Sequence, residues 1–371
     1  MVEERAFWLA WSQIAGIGPV LLTRLQQHFG TLAAAWEAPA AQLGQVEGFG
    51  TQTIKVVVAA RSRIHPEQLL RQHEQKNPNF WTPSDSADYP RLLLEISSPP
   101  PVLYYSGEVE LQENQGIKPL IGIVGTRDPS EYGKRWTHKI SGLLARNGFT
   151  IVSGLADGID TVAHRACLEA GGRTLAVLGT GVDVVYPPRN RDLYKQILNQ
   201  GLVLSEYPGG TPPDRAHFPA RNRIIAGMSR AVIVMEAPTR SGALITARYA
   251  NDFCRDVYVL PGSLDNPRSL GCLRLLSKGA QVIESEAHLL EMLGAIPQLD
   301  AASPPQSTKQ LTQPMEPQLQ QVLEAIALES MPFDLIVQQT GYSAGAVSSA
   351  LLQLELMGLV SQLPGMRYQR C

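Results

Sequence analysis

The sequence predicts an α/β protein: an extended parallel sheet with helices on both faces, flanked by a helical amino-terminal domain and a carboxyl-terminal winged helix. Two observations carry this. From residue 118 to residue 293, short apolar runs alternate with segments of helical length. Strands that are apolar throughout, without polar alternation, are those covered on both faces. Outside that stretch the pattern changes, to helices alone on one side and to helix, helix, helix, strand, turn, strand on the other.

Residues 1–80 place apolar positions at helical spacing in AFWLAWSQI, VLLTRLQQHF and IKVVVAARSRI. Two strings among them, Ile14-Ala15-Gly16-Ile17-Gly18-Pro19 and Val46-Glu47-Gly48-Phe49-Gly50, look like the turns of a helix-hairpin-helix, SAM-like domain. Such glycines expose backbone N–H groups to a phosphate. Only Arg24 and Lys55 lie beside them, so packing or a protein contact is the stronger expectation.

Residues 81–296 form the sheet domain. Strands are expected at PLIGIVG, TIVSG, TLAVLG, LVLSE, AVIVME, VYVLPG and AQVIE, and crossover helices in KRWTHKISGLLARNG, TVAHRACLEAGG, RDLYKQILNQG and GALITARYANDF. Residues 297–316, rich in Pro, Gln, Ser and Thr, read as a solvated linker. Residues 317–371 read as the winged helix-turn-helix. Its third helical segment offers Ser343, Ser348, Ser349 and Gln353 but no cation, with Arg367 and Arg370 following. Strong duplex affinity is therefore not expected, and a regulatory or partner-docking role is.

The bulk composition narrows the function. A net charge of −2 rules out a uniformly basic nucleic-acid coat, so any such site must be a local cluster. Cys167, Cys254, Cys272 and Cys371 form no CxxC pair, which argues against a zinc knuckle or a disulfide framework. No apolar run has membrane-spanning length and the acidic start lacks a secretory one, so a cytoplasmic protein is expected.

In an open parallel sheet, ligands sit beyond the carboxyl ends of the strands. Here those ends read Gly125-Thr126-Arg127, Ser153-Gly154, Gly179-Thr180-Gly181, Ser205-Glu206 and Ser241-Gly242. Glycines let backbone N–H groups approach a ligand, and the following helices add positive dipole ends, so the rim suits an anion. Nucleotide fingerprints are missing: neither GIVGTR nor GTGVDV is G-x-G-x-x-G, and no P-loop occurs. No cofactor is expected.

Between residues 211 and 255 the basic residues are Arg215, Arg221, Arg223, Arg230, Arg240, Arg248 and Arg255, without a lysine. A guanidinium fork suits phosphate. The triplet Arg221-Asn222-Arg223, opening a helix, is expected to grip successive phosphates, with Asn222 touching a base or sugar. Asp157, Asp160 and His164 sit on one helix at spacings that permit a metal or acid–base site. With no second histidine at ligand spacing, capping and local hydrogen bonding are the stronger reading.

Read in order, YPRLLLEI, PPPVLYYSGEVE, IGIVGTRDPSEYG, the long string from Ile151 to Asn190, LSEYPGGTPPDRAHFPARNRIIAGMSR and SGALITARYANDFCRDVYVLPGS resemble the DprA/Smf family of DNA-processing proteins. The resemblance implies a Rossmann-like domain that holds single-stranded DNA without catalytic turnover. It implies contacts from Gly125, Thr126, Arg127, Ser153, Gly154, Arg189, Asn190, Arg221, Asn222, Arg223, Ser241 and Gly242. It also implies a homodimer, with Leu276 and Ile283 as candidate anchors, and RecA recombinase as a partner in natural transformation. Two positions depart from the family pattern. Ala243 stands in SGALITA where a serine is usual, and Leu273 in GCLRLL where an asparagine is usual. The rival is a nucleoside-monophosphate phosphoribohydrolase on a related sheet, which would use Pro208-Gly209-Gly210-Thr211 and Glu236 as its base.

Overall fold

A computed structural model describes residues 3–294, 317–326, 331–356, 359–363 and 367–370; the expected linker at 297–316 lies outside them. The chain divides into two compact units, Met1–Ala301 and Ala302–Cys371.

The first unit is built on nine strands: β1 (Phe80–Trp81), β2 (Leu103–Gly107), β3 (Leu120–Val124), β4 (Thr150–Ser153), β5 (Thr174–Leu178), β6 (Leu202–Ser205), β7 (Ala231–Val234), β8 (Asp256–Val259) and β9 (Gln281–Val282). They lie in the order β1-β2-β6-β5-β4-β3-β7-β8-β9. β3 to β9 run parallel and are the seven expected strands; β1 and β2 add an antiparallel edge beside β6. From β3 the chain steps outward to β6, then returns across the sheet to place β7 on the other side of β3. The strand order thus reverses between β3 and β7, and a crevice opens above that point.

The apolar runs divide by the period of two that a strand imposes. Leu120, Val124, Val152, Val232 and Val234 join the core on one face, with Ile224, Ile225 and Ala247 of the covering helices. Ile121, Ile123, Ile151 and Ile233 enter the core on the other, with Ile140, Leu144, Ile159 and Ala163. Ile233 is fully buried there. An Ile233→Val variant removes one buried carbon and is expected to cost about 1 kcal/mol in denaturant unfolding. An unchanged midpoint would contradict close packing on this face.

Residues 3–79 carry six helices, from Glu4–Ser12 to Pro66–Lys76. Their core gathers Trp8, Trp11, Trp36, Leu22, Leu25, Leu43 and Val57. The Glu4 carboxylate accepts from the backbone N–H groups of Leu32 (2.5 Å) and Ala33 (3.2 Å), capping a helix that lacks an acidic first turn. Both hairpin turns are present: Gly16 and Gly48 take φ of +84° and +93°, which a side chain would strain. Ala6, Leu9 and Leu70 pack with Phe80, Val102 and Tyr104 of the sheet edge, so these helices and the sheet share one compact unit.

The second unit contains helices Pro317–Ala325, Phe333–Thr340 and Ala344–Leu356 with strands β10 (Met331–Pro332), β11 (Val360–Leu363) and β12 (Arg367–Arg370) in the order β10-β12-β11. This is a winged helix, closed by Ile336, Val347, Leu351, Leu354 and Tyr368. Ser348, Ser349 and Gln353 are exposed on its third helix, and Ser343 is exposed just before it. Among the described residues, no helix is long and apolar enough to cross a membrane.

Two sequence expectations are corrected here. Ile283 is 4 % exposed in the sheet core beside Leu289, and Leu276 is half-buried against the other core. Ile283 supports the sheet from within and is therefore not a free apolar anchor for a second copy, whereas Leu276 keeps part of its side chain exposed. The Arg221-Asn222-Arg223 triplet does not open its helix either, because Phe218-Pro219-Ala220 already lies within the helix His217–Met228.

Candidate nucleic-acid interface

The crevice above β3 and β7 is a cavity of about 640 Å³. Its floor is the loop after β3. Gly125 leaves no room for a side chain: a Cβ there would lie 2.5 Å from Ile159 Cγ1 and 2.9 Å from the Glu236 carbonyl oxygen. Closeness is what fixes the loop. The Thr126 N–H donates to that carbonyl (2.7 Å) and the Thr126 carbonyl accepts from the Ile159 N–H (3.1 Å). Arg127 therefore leaves a rigid base, and its exposed guanidinium lies 5.6 Å from the centroid of the Phe218 ring.

Arg221 forms the back wall. It is 5 % exposed, and its Nη1 donates to the carbonyls of Gly154 (2.7 Å) and Val177. A Cβ on Gly154 would meet that nitrogen at 2.5 Å, which explains the glycine. Burial and the nearby Arg127 charge push the Arg221 pKa down to about 10, against the pull of Asp160. It remains a cation at neutral pH.

Asp160, at the start of the helix Ile159–Glu169, is the carboxylate whose charge Arg221 feels. Its carboxylate accepts from the N–H groups of Gly154 (3.1 Å) and Ala156 (3.4 Å). Burial nonetheless raises its pKa, with Arg221 opposing. His164 is fully buried, bonded through Nδ1 to Thr174 Oγ1 (2.7 Å). Burial, then the Arg221 charge, lowers its pKa to about 3, so the imidazole is neutral. Asp157 instead pairs with Arg189. The trio is thus dispersed into structural roles, and no three metal-binding side chains cluster among the described residues.

The front wall is the start of the helix Gly242–Asp252. Ser241 caps it by accepting from the Ala243 N–H (3.2 Å), and Asn222 Nδ2 donates to the Gly242 carbonyl (3.2 Å). The positive end of this helix dipole adds to the field of the rim. Arg215 and Arg240, both exposed, complete the basic lining.

The structure brings together Gly125, Thr126, Arg127, Arg221, Asn222, Ser241 and Gly242 on this cavity, while Gly154, packed against Arg221, lines a small neighbouring one. Four expected contacts lie elsewhere. Ser153 is fully buried and donates to the Ile123 carbonyl (2.6 Å). Asn190 is buried, donating to the Leu155 carbonyl and Thr161 Oγ1. Arg189 is exposed outside the cavity and tied to Asp157. Arg223 is buried in a bidentate pair with Glu206 (3.0 and 2.7 Å). Of the other arginines, Arg230 and Arg255 donate to the carbonyls of Gly116 and Leu92, and Arg248 lies over Tyr249. Ala243 does line the cavity; Leu273 does not.

The aromatic wall was not singled out from the sequence. Phe218 and Tyr186 line the cavity with ring centroids 5.5 Å apart, and Tyr186 is 39 % exposed. The signal was present in Tyr186-Pro187-Pro188-Arg189 and Phe218-Pro219-Ala220-Arg221, where an aromatic stands three residues before an arginine.

The rival's residues lie off this cavity. Glu236 is buried, holding the N–H (2.8 Å) and hydroxyl (2.5 Å) of Ser130 and the Asn266 amide (3.0 Å). The Pro208–Thr211 loop is pinned by Asn77 and Asp183. With both oxygens so occupied, Glu236 anchors Ser130 and Asn266 away from the crevice.

The family profile of DNA recombination-mediator protein A matches residues 79–294, and that of the DprA winged helix domain matches 302–366. The chain belongs to the DprA/Smf family. Protein Smf of Synechocystis is 55 % identical to it across 99 % of both chains. Protein Smf of Escherichia coli is 37 % identical across 79 % of this chain and 77 % of its own. Among solved structures, DprA from Streptococcus pneumoniae superposes with a TM-score of 0.66 at 36 % identity, covering 78 % of this chain and 98 % of that one. DprA from Helicobacter pylori, described for its single-stranded DNA binding mode, gives 0.51 at 33 % identity over 55 % and 92 %. The DprA/Smf profile spans every strand of the sheet and all the residues of the crevice.

Proposed function

We propose that this DprA/Smf protein binds single-stranded DNA at the β3–β7 crevice and holds it without catalysis. One observation carries the reading: Arg127, Arg215, Arg221 and Arg240 converge on a cavity whose only carboxylate among the described residues is Asp160, alongside the rings of Tyr186 and Phe218. Guanidinium groups and a helix N-terminus attract the phosphates, and exposed rings stack the bases that a duplex would hide. The described single-strand binding of the Helicobacter pylori relative supports it. In this reading the protein works in the cytoplasm as a homodimer that shields incoming strands and passes them to RecA during natural transformation; family membership supports those steps.

The test is an anisotropy titration of labelled oligo-dT and of duplex over a range of salt. Tighter, salt-dependent binding of the single strand is expected. Absence of salt-dependent binding to either would overturn the reading. Phe218→Ala is expected to weaken binding about tenfold for all sequences alike, because stacking is worth about 1–3 kcal/mol per base.

A further inference from the structure

A second cavity, of about 370 Å³, opens where the amino-terminal helices meet the sheet edge. That volume falls within the range of about 300–1,000 Å³ typical of small-ligand sites. We propose that it takes a nucleobase of the same single strand that occupies the arginine-lined crevice; this rests on the function proposed above and extends it to a second station.

Charge selects the ligand class. Among the described residues the lining contains one carboxylate, Glu206, and no lysine or arginine. Both Glu206 oxygens are already held by Arg223, at 3.0 and 2.7 Å. The other titratable groups facing the space are His73, Tyr104 and Tyr207. His73 Nε2 and the Tyr104 hydroxyl share a hydrogen bond of 2.9 Å. Burial lowers the His73 pKa, so its ring is neutral at physiological pH. A phosphate here would lose water without gaining a counter-charge, which is costly. A flat, uncharged ring with donors and acceptors on its edge meets no such penalty.

The wall chemistry fits that ring. Tyr207 and His73 supply partly exposed aromatic surface, with the buried Tyr104 ring behind His73, and the amides of Gln13 and Asn77 supply edge partners. Stacking with edge hydrogen bonds is how unpaired bases are bound. Continuity with the first cavity is also visible. Glu206 and Tyr207 follow β6 on the same carboxyl rim. The Tyr207 ring stacks on His217 with centroids 3.9 Å apart, and His217 precedes Phe218 of the first cavity. A strand leaving Phe218 meets this aromatic pair on its way to the second space.

The experiment is photo-crosslinking of the full chain to iodouracil-substituted oligo-dT, with the attached peptides mapped by mass spectrometry. Crosslinks at His73 or Tyr207, together with those at Tyr186 or Phe218, are expected. Crosslinks confined to Tyr186 and Phe218 overturn the second station and leave the proposed function standing; crosslinks at neither overturn both. A companion variant, Gln13→Trp, fills the cavity from an exposed position. It is expected to weaken a long oligo-dT about tenfold and to leave unchanged a short one that fits the first cavity alone. An equal effect on both lengths, or none on either, counts against a separate station.

Discussion

Replacing Arg127 and Arg240 together by alanine is expected to weaken oligo-dT binding at least about a hundredfold, since each charge-assisted hydrogen bond is worth about 1.5–3 kcal/mol. Both side chains are exposed on the crevice, and neither forms an ion pair among the described residues. Folding should therefore change by less than about 0.5 kcal/mol, and the loss belongs to binding. The signature is in the salt dependence. Each phosphate contact with a single strand contributes about 0.7 to the slope of log K against log salt, so the double variant should flatten it by about 1.4. Arg248→Ala is the control, an arginine of the same sequence cluster whose exposed side chain lies over Tyr249 outside the cavity. Equal slopes for wild type and the double variant would remove phosphate from this crevice.

The arginines show what a sequence can and cannot convey. The residue type was informative, because a lysine-free basic stretch points to forked recognition. Direction was not. Residues two apart on a helix point about 200° apart around its axis, so Arg221 and Arg223 cannot both face one ligand. Arg221 turns to the crevice and Arg223 to Glu206. Choosing between them needs the helix phase, which the sheet contacts set. Ser153 and Asn190 failed for another reason: their side chains serve backbone carbonyls inside the fold, and nothing local in the sequence marks such a partner. The parallel sheet was legible because β3 to β8 are apolar nearly throughout. The edge strands β1 and β2 were not, since β1 has two residues and β2 follows Pro99-Pro100-Pro101. The glycine loops placed the site on the carboxyl rim of the sheet, whereas the switch point between β3 and β7 is visible only in the strand order of the folded chain.

Asp160→Asn is expected to lower the stability of the free protein by about 3 kcal/mol while increasing the stabilisation that single-stranded DNA confers. Arg221 is buried and charged, and Asp160 is the carboxylate on its cavity. The two side chains make no direct ion pair, but Asp160 is the opposing charge that Arg221 feels; loss of a directly bonded buried partner costs about 3–5 kcal/mol, which bounds the effect from above. The asparagine keeps the shape, and its oxygen can still accept from the Gly154 and Ala156 N–H groups, so the cost is placed at the lower end. At about 2–4 °C per kcal/mol for a unit of this size, the melting temperature should fall by about 6–12 °C. A bound phosphate supplies the missing negative charge, so saturating oligo-dT should raise the melting temperature of the variant by more than it raises that of wild type. Linked effects of opposite sign distinguish this from general damage, which would lower stability and DNA response together. Pairing Asp160→Asn with Arg221→Met should recover part of the lost stability, because no buried charge is left, and should abolish the extra response to DNA. A single variant as stable as wild type, or one whose DNA-induced shift is no larger, would mean that Arg221 is balanced by the backbone carbonyls alone and does not await a phosphate.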